Sequence, residues 1–84
     1  MSRKRELYER IKNNPKNVSF QDLDQLLQAT GFVRRKQKSG TSHFVYKIEG
    51  CPELLTIPYA RPLGDVYVKR ALKLIQTYGN LDED

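Results

Sequence analysis

The chain has 84 residues, enough for one domain and too few for a second. Hydrophobic residues make up 38% and charged residues 30%, with a formal net charge of +5 and an isoelectric point near 9.5. That balance favours a polyanionic partner, nucleic acid or an acidic protein, without choosing between them. One cysteine, Cys51, and one histidine, His43, exclude an internal disulfide and any zinc site of Cys/His spacing, so no metal or other cofactor is expected. The basic start, Met1 to Arg5, runs into Glu6 rather than into the apolar stretch of a signal peptide. No apolar run is long enough for a bilayer. The expected setting is a reducing cytoplasm, with no membrane partner.

Residues 3–13 read as a short helix with a narrow stripe, Leu7 and Ile11, and a Glu6/Arg10 pair one turn apart. It is expected to be loosely held. Asn13-Asn14-Pro15 ends it. A second helix is predicted over about 20–30. Ser19 is its N-cap, and Asp22 stands at the third helical position of a capping box. Phe20, Leu23, Leu26 and Leu27 form one stripe, and Gly31 supplies the C-terminal stop. Asp22 and Asp24 are explained by capping and solvation.

The period then changes from helical to two. Phe32-Val33 opens a strand that becomes strongly basic through Arg34, Arg35, Lys36, Gln37 and Lys38. Ser39-Gly40-Thr41 is turn chemistry. A second strand runs from about 42 to 49, with Phe44, Tyr46 and Ile48 on one face and His43, Val45, Lys47 and Glu49 on the other. Gly50-Cys51-Pro52 makes a tight connection, and a third strand over 53–57 stops at Pro58. After a loop over 59–64, a last helix begins near Asp65 as N-cap and ends before Gly79, burying Val68, Ala71, Leu72 and Ile75. The tail over 80–84 is acidic and expected to fray. The predicted class is α+β: a three-stranded antiparallel sheet with helices packed on one face, the other face left open to solvent. Its order is helix, helix, three strands, helix, the order of double-stranded-RNA-binding domains with an additional N-terminal helix.

Chemistry centres on His43. Alternation turns it away from the helices, and it follows the turn directly. The plain reading is a surface histidine. The functional reading starts from RNA itself, which carries a nucleophile in its 2′-hydroxyl. A cleaving protein has only to move protons and stabilise charge on phosphorus. An imidazole titrates near neutrality and serves either proton transfer, while Arg35, Lys36 and Lys38 on the preceding strand can hold phosphate. One histidine is not both ideal acid and ideal base, which implies slow turnover or a second partner such as Lys36 or water. Taken alone, the basic strand is equally a solvated edge protected by its charges. Of the tyrosines 8, 46, 59, 67 and 78, all but Tyr59 occupy positions expected of core or core rim; Tyr59 lies in a loop.

The stretch from Ala29 through Gly31-Phe32, Arg35 to Lys38, and Ser42-His43 to Tyr46 resembles the HicA toxins of prokaryotic type II toxin–antitoxin modules. Those proteins have a helix ending in Gly-Phe, a basic strand, a Gly-Ser-His segment entering the next strand, a short strand ending in Pro, and a helix. The later counterparts here are Thr56-Ile57-Pro58 and the helix from Asp65, so the resemblance spans about residues 14–79, with 3–13 as an extension. It implies a double-stranded-RNA-binding-like fold, cleavage of mRNA that arrests growth, His43 as catalytic residue, Ser42 beside it on the phosphate, and a HicB-type antitoxin as partner. Two departures stand out. Thr41 separates Gly40 from Ser42, and Tyr59-Ala60-Arg61 follows the third-strand proline where many relatives carry a histidine; Arg61 is the phosphate contact expected of that loop.

Two other readings share these features. A non-catalytic module of the same fold would grip structured RNA through the start of its last helix, where Lys69 and Arg70 lie. A protein adaptor would offer its basic face to an acidic partner.

Overall fold

The computed structural model describes residues 3–35, 43–60 and 62–81. It contains α1 (Arg3–Asn13), α2 (Phe20–Ala29), β1 (Val33–Arg34), β2 (His43–Lys47), β3 (Leu55–Pro58) and α3 (Asp65–Tyr78). The strands form an antiparallel sheet in the order β1-β2-β3. The chain is thus an α+β protein with the predicted order of elements.

Local chemistry sets both ends of α2. The Ser19 hydroxyl accepts the Asp22 amide at 3.1 Å, satisfying one of the unpaired N–H groups of the first turn. At the other end the Gly31 amide donates to the Gln28 carbonyl at 3.2 Å and the Phe32 amide to the Leu27 carbonyl at 2.9 Å, the paired closure of a Schellman motif. Gly31 has φ +110°, a conformation that glycine adopts without a Cβ penalty. The buried Thr30 hydroxyl donates to the carbonyls of Leu26 and Leu27. The Thr30 carbonyl accepts the Asn80 amide at 2.9 Å, which ties the segment after α3 to the end of α2.

The register pairs Val33 with Lys47, Arg34 with Tyr46, Tyr46 with Leu55, Phe44 with Ile57 and His43 with Pro58. Tyr46, Leu55 and Ile57 are buried with the helices, whereas His43, Lys47 and Thr56 are exposed. The sheet therefore has one covered face and one open face. The ladder of β1 is shorter than its basic run. Arg35 continues it by one amide, donating to the Val45 carbonyl at 2.8 Å, and residues 36–42 lie outside the described ones. β3 begins at Leu55 rather than at Glu53: after the turn over 48–51, carried by Gly50 (φ +90°) and closed by the Cys51 amide donating to the Ile48 carbonyl, the chain bends at Pro52 and Glu53 before Leu55 pairs with Tyr46.

A single apolar core joins all three helices to the covered face. α1 is held more firmly than its Leu7/Ile11 pair suggests. Its buried stripe is Lys4, Tyr8 and Ile11, it packs against both α2 and α3, and the Lys4 stem adds apolar cover. α3 buries the expected Val68, Ala71, Leu72 and Ile75, and Leu74 as well. Its N-cap is Gly64, not Asp65, and makes no side-chain cap bond. Asp65 lies inside the helix and pairs with Lys69 at 3.4 Å, a placement that suits the helix dipole. Among the described residues, no helix is long and apolar enough to cross a membrane.

Gly31→Ala should lower stability by about 1–2 kcal/mol, read as an earlier thermal melt. The loss comes from the backbone, since an added Cβ would meet only Ile48 Cδ1 at 3.4 Å.

Candidate nucleic-acid interface

The open face takes its character from every second residue of each strand. β2 contributes exposed His43 and Lys47 with half-buried Val45 between them. β1 and its continuation contribute Val33, 66% exposed, and exposed Arg35. Because Arg35 stands opposite Val45, it is a diagonal neighbour of His43 on the same face, within reach of a long side chain. An accessible imidazole thus shares a surface with a guanidinium. Of the other residues expected to touch phosphate, Lys36, Lys38, Ser42 and Arg61 lie outside the described residues.

Arg34 behaves differently from its neighbour. Strand alternation turns it to the covered side, where Nη1 lies 3.3 Å from Asp24 Oδ1 and the guanidinium carbon lies 5.2 Å from the centre of the Phe44 ring. It braces the sheet against α2 and does not add to the charge of the open face. Phe44 belongs to an aromatic group at the end of the sheet, 4.8 Å from Phe20 and 6.3 Å from Tyr59 between ring centres, with Phe20 and Tyr59 5.0 Å apart.

Asp24 does more than face solvent. Its Oδ1 accepts the Tyr46 hydroxyl at 2.6 Å, and the Gln28 amide donates to both carboxylate oxygens at 3.0 and 3.1 Å. With the Arg34 pair, these contacts clamp α2 to the first two strands. Tyr46 is fully buried. Burial first, and then the Asp24 carboxylate, push its hydroxyl far above the ordinary tyrosine range, with Arg34 opposing them. The hydroxyl therefore stays a proton donor throughout the neutral range. Sequence reasoning missed this clamp, since Asp24 and Tyr46 are far apart in the chain and the helical position of Asp24 signals only a polar face.

At the start of α3, both basic residues face carboxylates. Lys69 pairs with Asp65, and Arg70 Nη2 lies 2.5 Å from Glu53 Oε1 in the β2–β3 connection. Among the described residues, no group of three or more His, Cys, Asp or Glu side chains is placed to hold a metal ion. Comparison with protein-family models, curated protein sequences and solved structures gives no match.

The Tyr46 hydroxyl should make stability fall in alkali. An unfolded tyrosine loses its proton near pH 10, roughly, whereas folded Tyr46 keeps it to higher pH. Its contribution is therefore complete below that point and declines as pH rises beyond it. Tyr46→Phe should cost about 1–3 kcal/mol at neutral pH and flatten the alkaline decline, measured by urea unfolding across a pH series.

Proposed function

We propose that the chain is a ribonuclease toxin of the HicA kind. It acts in the cytoplasm, cleaves mRNA without a metal, uses His43 for proton transfer, and is held in check by a HicB-type antitoxin. The observation that carries this reading is the exposed imidazole on the open sheet face with Arg35 as its diagonal neighbour. Further support comes from the resemblance over residues 14–79, whose Gly-Phe element corresponds to the Schellman closure of α2.

The chemistry needs little apparatus. The 2′-oxygen attacks the adjacent phosphorus, the O2′–P bond forms, and the P–O5′ bond breaks. The 2′-hydroxyl proton passes to the His43 imidazole and the departing 5′-oxygen takes a proton from water. The products are a cyclic 2′,3′-phosphate and a free 5′-hydroxyl, and the imidazolium returns its proton to solvent. Arg35 holds the phosphate and offsets the charge that builds on its oxygens. The duplex-gripping alternative would use Lys69 and Arg70 at the start of α3, and there each shares its charge with a carboxylate, Asp65 and Glu53.

The purified chain should cleave RNA in the presence of a chelator. His43→Ala should slow cleavage by about 10²–10⁴-fold and relieve growth arrest while the chain stays folded, because the residue is exposed and outside the core. Full activity in His43→Ala would sink the assignment. Arg35→Ala should weaken RNA binding at all sequences and lower the slope of log affinity against log salt by about one.

A further inference from the structure

Tyr59 is half exposed, and its ring is backed by Phe20 and Phe44. We propose that its outer face is a stacking platform for one unpaired nucleobase beside the phosphate handled by His43. The inference rests on the nuclease reading and narrows its substrate to RNA that is single-stranded at the bound nucleotide.

Position comes first. Pro58 is the register partner of His43, and Tyr59 is the next residue. Strand partners lie roughly 5 Å apart and consecutive Cα atoms about 3.8 Å, so Tyr59 and His43 are immediate neighbours at one end of the β2–β3 pair. Their side chains leave that end on different sides. His43 belongs to the open face, and the Tyr59 ring lies against Phe20 and Phe44 on the helix side. A nucleotide strand crossing the end of the sheet meets both, with its phosphate at the imidazole and its base turned over the strand end onto the ring.

The support behind Tyr59 also matters. The Phe44 ring is itself covered by the Arg34 guanidinium, which is fixed by Asp24. The group is therefore braced from α2 and β1, and a braced aromatic face loses little freedom when a base lies on it. Base–aromatic stacking tolerates any base, because each has a π-face. A base locked in a duplex has both faces occupied by its neighbours and cannot be shared in this way.

The test uses the His43→Ala chain, which keeps the RNA intact, and a short unstructured RNA carrying the fluorescent base 2-aminopurine. Binding should quench the probe. Tyr59→Phe should preserve both quenching and affinity. Tyr59→Leu, which keeps apolar cover over Phe20 and Phe44, should melt like the parent yet lose the quenching and about tenfold in affinity. A duplex of the same sequence should show no quenching. Quenching and affinity that survive in Tyr59→Leu overturn the platform, even if the unmutated chain cleaves the RNA. Tyr59-dependent quenching supports it, even if the unmutated chain leaves the RNA whole and the nuclease reading falls. Absence of RNA binding by the parent overturns both.

Discussion

A residue in a β-strand is committed to one face, and in β2 that commitment is fixed by Tyr46. Its ring fills the core and its hydroxyl donates to Asp24, so the strand cannot slip by one position without dragging a large buried side chain into water. The exposure of His43 three residues earlier follows from the same constraint. The polar clamp under the sheet and the imidazole above it are two ends of one register.

The clamp also separates the tasks of adjacent arginines. Arg34 is drawn inward to Asp24 and Phe44, while Arg35 remains on the open face. Sequence counts both as members of one basic run. Of these two, Arg35 is the one presented on the face that carries His43. A similar economy holds at α3, where two basic side chains face acidic ones.

How much was legible in the sequence depends on how local the determining interaction is. The start and stop of α2 were readable because Ser19, Asp22 and Gly31 act within a turn of their own positions. The two faces of β2 were readable because alternation needs no partner. The role of Asp24 was hidden, since it is defined by a tyrosine on another element. Tyr8 was expected at the core or its rim from its helical position, and it is buried there; what its position did not tell is that α1 packs against both α2 and α3. The cap of α3 was misplaced because Asp65 and Gly64 are both acceptable there, and the chain entering from Leu63, whose amide donates to the Val18 carbonyl, sets the actual boundary.

Cys51 sits in the connection between β2 and β3, buried, with its thiol donating to the Glu53 carbonyl. As the sole sulfhydryl of the chain, it is a built-in reporter. An alkylating reagent reaches it only when the hairpin opens, so labelling kinetics would read the opening frequency of the hairpin that carries His43 and Tyr59 at its far end, with no engineered probe.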